Sequence, residues 1–585
     1  MKAKISGGDL LARALAACEV AEVFTLHGGH LDSFLTACAD AGIRLTDARH
    51  EASAGHAADG YARASGGRIG VCVTTAGPGF TNSLTAIANA YLDGVPVLFI
   101  SGSPPLREAQ TNPLQGGFDQ VAMAAPVTKL AHRITNAERI ADLVSHAVQI
   151  ALTGRPGPVF LEIPIDVMFA PAEAGWRQVK PLQLPARPAP AADAIDAAMA
   201  LLLTAERPVM IAGAGSVLSP ASEPLLRFAE RTGIPVAANS KATGVLPHDH
   251  PCYAGLTSTI GAANFAGHGP DVVILLGARM GMFTGGRSGG VIPHTAKVIQ
   301  IDINGAEIGR LRPADIGIVA DCSDTMRAFA DAADHHTWPR RDKWSAMLQD
   351  FRRLRGAAFL KAPKQPKPHA MHPFHAVAAV FEALRPDTLV ISDGGEAGCW
   401  VQDQLKSAGP GHFMTCGYLG CLGVAPGFAI GAARACPDTP IVCFTGDGGA
   451  GFNIQEFDTM VRHAMPILTI VLNNACWGMS QNGQDLVFGA NRRAAVALSD
   501  TNYDAVAAAF GGYGERVDRY EDVVPAVKRA LASGKPACIN LIVDADIVHP
   551  ITVAMVGDVS AEDQISIPYY ENIPLAAAEP LKSGG

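Results

Sequence analysis

The chain has 585 residues, of which 48% are hydrophobic, 17% are charged and 61 are glycine. This length predicts three or four domains of roughly 150 residues, and the composition is typical of a soluble α/β enzyme, not of a fibrous, disordered or membrane protein. The net charge of −9 is spread along the chain without a basic block, so neither a nucleic-acid partner nor a membrane contact is expected.

The cysteines and the first residues bear on the compartment. Twelve cysteines occur without regular spacing, and the start MKAKISGGDL lacks an apolar signal segment. These features predict a protein of the reducing cytoplasm without disulfides.

The first block of the chain alternates predicted helices with short apolar strands, and strands separated by helices form parallel sheets. The predicted strands lie at 23–26, 71–74, 97–101 and 159–163. We expect a first domain at 1–172, followed by a linker at 171–192, where Pro and Ala recur without periodicity.

Two further blocks repeat this alternation, so we predict three doubly wound α/β domains with parallel sheets. The strands of the second block lie at 208–213, 234–239, 272–277 and 298–303, and those of the third at 388–393, 441–447, 467–474 and 538–544. The expected boundaries are 190–335 and 370–560, with a charged connection at 335–372 and a C-terminal tail at 561–585. The tail has no periodicity, so its sequence leaves open whether it is disordered or covers a site.

A glycine-bracketed acid follows one strand of the third block, and two asparagines follow the next. The stretch GDGGAGFNIQEFDTMVRHAMPILTIVLNN begins at Gly446, includes Asp447 and ends at Asn473 and Asn474. Ligands bind at the carboxyl ends of strands in such sheets, where glycines let the backbone come close. A helix start favours phosphate, and a carboxylate beside a phosphate implies a divalent cation between them. The pattern therefore predicts Mg²⁺ held by Asp447 and Asn474, with Asn473 securing the turn.

Either half of this motif alone is typical of ordinary βαβ turns. Together, the GDG triplet, 24 residues and the asparagine pair resemble the diphosphate-binding motif of thiamine diphosphate (ThDP)-dependent enzymes. Further segments resemble the acetolactate synthase and benzaldehyde lyase branch of that family, most closely the benzaldehyde lyases, over nearly the whole chain. They include RHEASAGHAADGYARASG, TTAGPGFTNSLTAIANAYLDGVPVLFISG, LGARMGMFTGG and GYLGCLGVAPGFAIGAA. The resemblance implies pyrimidine-binding, middle and diphosphate-binding domains in that order.

The resemblance also implies roles around the cofactor. Glu51 would pair with the aminopyrimidine ring, whose protonation helps to remove the thiazolium C2 proton; alone, a glutamate at a helix start is usually a surface residue. Leu422 would prop the cofactor into its bent shape, and the Gly420 carbonyl would accept a hydrogen bond from its amino group. Asp447, the Asn474 side chain and the Cys476 carbonyl would hold Mg²⁺. The expected cofactor-binding set is Glu51, Gly420, Leu422, Gly446, Asp447, Gly448, Gly449, Asn474 and Cys476.

Three polar residues match positions that face the reacting carbon. His30 would move a proton at the substrate oxygen, as a near-neutral pKa permits, Gln115 would position that oxygen, and His27 lies beside them. The two histidines could instead form half of a zinc site, but no Cys or His partner has suitable spacing. Together with Glu51 they make up the expected catalytic set.

Substrate choice depends on positions where the match is weakest. The expected pocket residues are Gly29, Ile165, Gly398, Cys399, Met479 and Gln481. Several of them replace bulky or aromatic side chains of benzaldehyde lyase, so we expect small or polar aliphatic substrates. Cys399 is expected to pack and not to react, because ThDP already provides the nucleophile.

Two activities fit these residues. The first is cleavage of 2-hydroxy ketones (acyloins) to aldehydes or their formation from aldehydes. The second is acetolactate synthase-like decarboxylation of a 2-oxo acid followed by carboligation. A ThDP-binding protein without catalysis is a third hypothesis, which Glu51, His30 and Gln115 argue against, since such a protein would not need a ring-activating acid.

The remaining expectations concern cofactors and assembly. The middle-domain segment LGARMGMFTGG is compatible with FAD, but benzaldehyde lyase has a similar segment without flavin, so FAD is not favoured. Glu51 and Asp447 meet across a subunit interface in this family, which implies at least a homodimer and favours a homotetramer. The other partner is the small aldehyde, hydroxy ketone or oxo acid.

Overall fold

A computed structural model describes residues 4–108, 111–173, 182–286 and 288–556. Within these residues the strands form three six-stranded parallel sheets and one two-stranded antiparallel ribbon. The predicted fold class of three doubly wound α/β domains is confirmed, while the predicted tail at 561–585 lies outside the described residues.

The N-terminal domain contains the first six-stranded sheet and the ribbon. Its strands are β1 (Lys4–Ser6), β2 (Glu22–Thr25), β3 (Arg44–Asp47), β4 (Gly70–Thr74), β5 (Val97–Ser103), β6 (Ala131–Arg133), β7 (Val159–Pro164) and β8 (Pro171–Glu173). Its helices are α1 (Gly7–Ala17), α2 (Asp32–Asp40), α3 (Glu51–Ala64), α4 (Pro78–Asp93), α5 (Gln120–Ala124), α6 (Ile140–Leu152) and α7 (Ile165–Met168). The sheet order is β3-β2-β4-β5-β7-β6, and β1 pairs with β8, so the predicted linker at 171–192 begins as a strand.

The middle domain follows with a second sheet. Its strands are β9 (Pro208–Ala212), β10 (Val236–Ala238), β11 (Tyr253–Leu256), β12 (Val272–Leu276), β13 (Lys297–Asp302) and β14 (Ile316–Val319), in the order β11-β10-β9-β12-β13-β14. Its helices are α8 (Ala192–Thr204), α9 (Gly215–Leu218), α10 (Ser222–Thr232), α11 (Thr257–Phe265) and α12 (Cys322–Asp334).

The segment 335–372 is more than the connection that its charge suggested. It contains α13 (Asp342–Leu354) and α14 (Ala357–Leu360). Trp344 and Leu348 of α13 are buried in the same apolar cluster as Val273 and Leu275 of β12. This part of the predicted connection therefore packs on the middle domain.

The C-terminal domain carries the third sheet, in the order β16-β15-β17-β18-β20-β19. Its strands are β15 (Leu389–Ser392), β16 (Phe413–Thr415), β17 (Ile441–Gly446), β18 (Leu468–Asn473), β19 (Tyr513–Val517) and β20 (Ala537–Ile542). Its helices are α15 (Pro373–Ala383), α16 (Gly395–Gln404), α17 (Val424–Ala435), α18 (Asp447–Asn453), α19 (Glu456–Arg462), α20 (Gly478–Phe488), α21 (Tyr503–Ala509), α22 (Val523–Ala532) and α23 (Pro550–Val556). When the strands are numbered within each six-stranded sheet, the N- and C-terminal sheets have the same strand order.

Helices cover both faces of these sheets, so the central strands are buried on both sides and are apolar along their whole length. All residues of β4, β12 and β18 are buried, for example. This explains why continuous apolar runs located the strands in the sequence.

The N- and C-terminal domains share one hydrophobic core, which includes Phe24 and Phe428. At its centre α3 and α17 come into backbone contact through glycines. A Cβ at Gly60 would lie 2.5 Å from the Phe428 carbonyl oxygen, and one at Gly427 would lie 3.0 Å from the Ser53 carbonyl oxygen.

All twelve cysteines are free. In the described part of the chain, no helix is both long enough and apolar enough to cross a membrane.

Candidate active site

The C-terminal sheet changes direction between β15 and β17, because the chain passes from β15 to β16 on one side and then to β17 on the other. The carboxyl ends of the strands at such a switch point form a crevice in which ligands bind. The helices α16 and α18 begin at this crevice, and a Cβ at Gly446 would lie 3.7 Å from Ala397 Cβ. The predicted diphosphate motif therefore lies at the expected binding position of the fold.

Asp447, Asn474 and Cys476 are brought together in one hydrogen-bonded turn. The Cys476 N–H donates to Asp447 Oδ2 at 3.1 Å and to Asn474 Oδ1 at 3.3 Å. Asp447 is only 2% exposed, and its Oδ1 accepts the Gly448 N–H at 2.9 Å. Burial raises the pKa of Asp447 to about 6, although backbone N–H groups partly offset this effect.

Neighbouring residues fix this turn. The Asn473 Oδ1 accepts the Ala475 N–H at 3.1 Å, which confirms that Asn473 secures the turn. Ala475 has φ of 54°, in the left-handed region, which reverses the chain between Asn474 and Cys476. Tyr503 Oη donates to the Asp447 carbonyl oxygen at 2.9 Å. Trp477 lies over Gly448, where a Cβ would come within 2.4 Å of the indole ring.

The predicted cofactor loop lies beside the same crevice. A Cβ at Gly394 would lie 2.7 Å from Leu422 Cδ2, so Leu422 leans over the start of α16. Gly420 has φ of 69°, a conformation that favours glycine. Leu422 and the predicted metal-binding turn are thus both beside the β15–β17 crevice.

Asp393 is a site residue that the sequence reasoning missed. This buried carboxylate accepts hydrogen bonds from the N–H groups of Gly394 and Gly423, both at 2.9 Å, and from Thr445 Oγ1 at 3.2 Å. Burial raises its pKa to about 6, and the backbone N–H groups oppose this shift. A Cβ at Gly449 would lie 2.9 Å from its Oδ2. Asp393 therefore joins the ends of β15 and β17 to the loop of Leu422.

Glu396 was missed as well. Its buried Oε1 accepts hydrogen bonds from Asn482 Nδ2 at 2.9 Å and from Thr552 Oγ1 at 2.5 Å, which connects α16 to α20 and α23. Burial raises the pKa of Glu396, and these two bonds oppose the shift. Both acids stand near an Asp-Gly-Gly sequence like that of Asp447, which was the available signal.

The predicted pocket residues of the C-terminal domain lie on α16 and α20. Gln481 is buried, and Met479 precedes it on the first turn of α20. The Cys399 thiol donates to the Gly395 carbonyl oxygen at 3.6 Å, and burial raises its pKa to about 12, as expected of a packing thiol. A Cβ at Gly398 would lie 2.5 Å from the Asp393 carbonyl oxygen, so this glycine lets α16 approach β15.

In the N-terminal domain the equivalent switch point lies between β2 and β4, and His30 and Gln115 both lie against the turn after β4. His30 Nδ1 is 3.2 Å from Thr75 Oγ1, and burial lowers the pKa of this half-buried histidine. A Cβ at Gly77 would lie 2.9 Å from Gln115 Cα. Gln120 ties this turn to the sheet, because it accepts the Gly77 N–H at 3.0 Å and donates to the Gly102 carbonyl oxygen at 2.9 Å.

The other predicted residues of this domain are more peripheral. His27 is exposed and its Nε2 is 2.8 Å from Asp32 Oδ1, so its side chain contacts the first residue of α2. Gly29 borders open space. Ile165 is half-buried at the start of α7, after the carboxyl end of β7.

Glu51 begins α3 and is 6% exposed. Its Oε2 accepts a hydrogen bond from Asn82 Nδ2 of α4 at 2.9 Å. Among the described residues, no hydrogen bond joins Glu51 to the C-terminal domain. Within the described part of one chain, no hydrogen bond therefore joins the predicted ring-activating acid to the predicted metal-binding turn.

The residues of the C-terminal crevice fit Mg²⁺ and a diphosphate. Asp447 is a buried carboxylate that takes part in none of the ion pairs described, which suits a divalent cation. Asn474 and the Cys476 carbonyl add the neutral oxygen donors that Mg²⁺ accepts. In the described part of the chain no cluster of three or more His, Cys, Asp or Glu residues could hold a metal, so the fit depends on one carboxylate with amide oxygens.

A separate cavity of about 270 Å³ lies where the three domains meet. Arg155 of the N-terminal domain, Arg279 and Asp302 of the middle domain, and Tyr418 of the C-terminal domain line it. The switch point of the middle sheet, between β9 and β12, opens into this cavity through Gly215 and Gly277.

Comparison with known families assigns all three domains. Residues 5–123 match the thiamine pyrophosphate enzyme N-terminal TPP binding domain, residues 195–329 the central domain, and residues 393–541 the C-terminal TPP binding domain. Thiamine pyrophosphate, or TPP, is another name for ThDP.

Similar proteins extend over nearly the whole chain. Acetolactate synthase large subunit IlvG of Mycobacterium tuberculosis is 35% identical over 546 residues, which cover 93% of this chain and 96% of the relative. Probable acetolactate synthase large subunit of Methanocaldococcus jannaschii is 32% identical and covers 97% of this chain and 98% of its own. 2-Hydroxyacyl-CoA lyase 2 of Caenorhabditis elegans is 30% identical, with 88% and 85% covered. The chain therefore belongs to the thiamine pyrophosphate enzymes and is a ThDP-dependent lyase or carboligase.

Proposed function

We propose that the protein uses ThDP and Mg²⁺ to make or cleave the carbon–carbon bond of 2-hydroxy ketones. The observation that supports this most is the single turn that joins Asp447, Asn474 and Cys476 at the β15–β17 crevice. When bound, ThDP supplies a nucleophilic carbon that adds to a carbonyl group and stabilises the negative charge left when the neighbouring bond breaks.

The C-terminal domain binds the cofactor in this proposal. Asp447, Asn474 and the Cys476 carbonyl would hold the metal. Gly446, Gly448 and Gly449 would let the backbone come close to the diphosphate. Leu422 would contact the cofactor, and the Gly420 carbonyl would accept a hydrogen bond from its amino group.

The N-terminal domain supplies the proton-transfer groups. Glu51 pairs with the aminopyrimidine ring of a cofactor bound to a second copy of the chain. His30 is uncharged at neutral pH, because burial lowers its pKa, and it exchanges a proton with the substrate oxygen through Nε2 while Nδ1 faces Thr75. Gln115 orients the same oxygen. The His27 side chain reaches the substrate only after it leaves Asp32, so we assign His27 a smaller role in proton transfer than His30.

A second copy of the chain also accounts for exposed apolar side chains near Gln115 and on α18. Leu114 and Phe118 flank Gln115 and are 75% and 41% exposed, and Phe452 of α18 is 56% exposed. Patches of this kind mark interfaces. We propose a homodimer that buries them, with two dimers forming the tetramer, and light scattering of the purified protein measures the mass.

Substrate choice follows from the pocket walls. Gln481 is a buried amide, Ile165 is an aliphatic side chain where the benzaldehyde lyases have a tryptophan, and Met479 is a flexible side chain where they have an alanine. These groups favour small or polar aliphatic aldehydes and hydroxy ketones over aromatic ones.

The second candidate is decarboxylation of a 2-oxo acid followed by carboligation. The names of the two acetolactate synthase relatives support it. It uses the same Asp447, Glu51 and His30 and differs in the leaving group, which is CO₂ instead of an aldehyde.

One experiment separates these candidates. The holoenzyme with ThDP and Mg²⁺ is incubated separately with pyruvate, glycolaldehyde, acetoin, benzoin and a 2-hydroxyacyl-CoA, while CO₂ and aldehydes are measured. Aldehyde release or exchange from acetoin or glycolaldehyde without CO₂ supports the proposal, and CO₂ from pyruvate supports the second candidate. Aldehyde release from the thioester alone would contradict both. Glu51→Gln serves as the inactive control.

The flavin question has its own test. Arg279 of the segment LGARMGMFTGG lines the cavity between the domains, and the expectation that FAD is not favoured stays a prediction. A colourless purified protein agrees with it, whereas visible flavin absorbance that survives gel filtration contradicts it.

A further inference from the structure

The loop that carries Gly420 and Leu422 begins against an acid of another domain. Asp93, the last residue of α4, accepts the Tyr418 N–H at 3.3 Å through Oδ1. A Cβ at Gly417 would lie 2.0 Å from the same oxygen, so only glycine permits this contact. The start of the loop is thus held by the N-terminal domain of its own chain.

Asp93 is itself fixed from two domains. Its buried carboxylate forms ion pairs with Arg63 Nη2 at 2.8 Å and with Lys241 Nζ of the middle domain. Arg63 is oriented in turn by Asp59, with Nε to Oδ1 at 2.6 Å. Burial raises the pKa of Asp93, but Lys241 and Arg63 outweigh it and hold the pKa below its ordinary value. The acid is therefore ionised and held at a defined position.

The Tyr418 ring strengthens this contact. The Arg279 guanidinium carbon lies 4.1 Å and Lys241 Nζ lies 5.3 Å from the ring centroid, both within the range of cation–π interactions. Phe283 contacts the ring edge-on, with centroids 5.8 Å apart. All three of these residues belong to the middle domain.

A second acid holds the end of the loop. Asp393 accepts the Gly423 N–H at 2.9 Å, and Asn453 Nδ2 donates to the Gly423 carbonyl oxygen at 2.6 Å. Gly420 and Leu422 lie between the two acids, Asp93 at the start and Asp393 at the end. The end is fixed within the C-terminal domain, whereas the start depends on the N-terminal and middle domains.

We propose that Asp93 is a positioning residue that sets Gly420 and Leu422 in the cofactor site of its own chain, while Glu51 of the same domain acts in the partner's site. This inference rests on the proposed roles of Gly420, Leu422 and Glu51. Each cofactor site then depends on both N-terminal domains of the dimer, through Asp93 in cis and Glu51 in trans.

The physical effect of losing the carboxylate is direct. Asp93→Asn leaves Lys241 buried without its counter-charge, removes one of the two carboxylates that pair with Arg63, and weakens the acceptor of the Tyr418 N–H. The loop start then shifts, and the Gly420 carbonyl and Leu422 lose their alignment with the cofactor. The first readout is exchange of the cofactor C2 proton for deuterium in the ThDP- and Mg²⁺-loaded protein, which needs no substrate.

Glu22→Gln is the matched control. Glu22 is also a buried carboxylate at the contact between N- and C-terminal domains, where it lies 3.5 Å from Arg434 and accepts from Thr46. It has no described contact with the loop.

We expect Asp93→Asn to slow C2 exchange by at least about tenfold and Glu22→Gln by less than about twofold, at equal cofactor loading. Lys241→Met, which keeps the Arg63 pair, shifts exchange in the same direction by a smaller factor. Equal exchange rates in folded Asp93→Asn and Glu22→Gln would overturn the proposal.

Mixed dimers test the cis assignment. Chains with Asp93→Asn and chains with Glu51→Gln are co-expressed with different affinity tags, and dimers carrying both tags are isolated. If Asp93 acts in cis, one of the two sites combines an intact loop with an intact Glu51. Half of the bound cofactor then exchanges its C2 proton at the wild-type rate, although both homodimers are slow. If Asp93 acts in trans or only supports folding, neither site recovers, and the inference is overturned.

The same experiment distinguishes a failure of the proposed function from a failure of the proposed role of Asp93. A Glu51→Gln homodimer with wild-type exchange would contradict the proposed function itself. A slow Glu51→Gln homodimer together with an unrecovered mixed dimer contradicts only the role of Asp93.

Discussion

Gly431 of α17 lies directly on the backbone of Ala57 of α3: a Cβ at Gly431 would be 2.0 Å from the Ala57 carbonyl oxygen and 2.5 Å from the Tyr61 nitrogen. Backbone atoms in a helix cannot move aside as a side chain can. We therefore expect Gly431→Ala to force α3 and α17 apart and to lower the free energy of unfolding by about 1–3 kcal/mol, measured by urea denaturation.

Gly451→Ala is the control for this prediction. Gly451 lies in α18 and no atom would come within 4 Å of its Cβ, so alanine fits there and favours the helix. Equal stability of the two variants would mean that the contact of α3 with α17 is looser than described.

Metal binding is predicted to depend on Asp447. Asp447→Asn keeps the shape of the side chain but removes its charge, so the Mg²⁺ concentration needed for ThDP binding should rise at least about tenfold. Fluorescence reports the binding, because Trp477 packs on Gly448 beside the turn. The exposed Asp438 at the opposite end of β17 provides the control Asp438→Asn, which should leave this concentration unchanged. EDTA should release the cofactor from the unmodified protein, and retention would contradict the metal-dependent arrangement.

The stability of the folded protein is predicted to fall in acid partly through His56. Burial, aided by Arg63 and His50, lowers its pKa from 6.5 to about 3. Between these values the unfolded chain binds a proton that the folded chain does not, so stability is lost as the pH falls below about 6.5. His56→Gln should reduce the loss of stability between about pH 7.5 and about pH 5 by about 2 kcal/mol.

Urea titrations at both pH values measure this effect. The exposed His132 gives the control His132→Gln, for which the pH dependence should equal that of the unmodified protein. An unchanged pH dependence in His56→Gln would show that His56 does not remain buried and neutral in the folded protein.

Much of the fold was predictable because its strands are buried on both faces. Runs such as Val272–Leu276 are apolar throughout and hardly fit any other element. The helix Asp342–Leu354 was missed, because its surface is highly charged and Trp344 and Leu348 show their burial only against the middle domain.

The site was predictable where one local motif carries it and unpredictable where distant residues meet. Asp447 and Asn474 directly follow two neighbouring strands, so their spacing was informative. Asp393 gains its importance from a loop 30 residues away, and Asp93 from a loop more than 300 residues away. For His27 the sequence could not show that its Nε2 lies 2.8 Å from Asp32 Oδ1, and its catalytic role stays a prediction.

Substrate preference is predicted to respond to Gln481. This buried amide lies on α20, which follows the predicted metal-binding turn, and a buried amide favours substrates that offer a hydrogen bond. Gln481→Leu should raise the ratio of kcat/KM for hexanal over that for glycolaldehyde by about tenfold, because the polar partner is lost and apolar surface is gained. The same change at the exposed Gln149 of α6 should leave the ratio unaltered. If Gln481→Leu left the ratio unchanged while lowering both rates, the amide would support the helix and not select the substrate, and the polar-pocket proposal would fail.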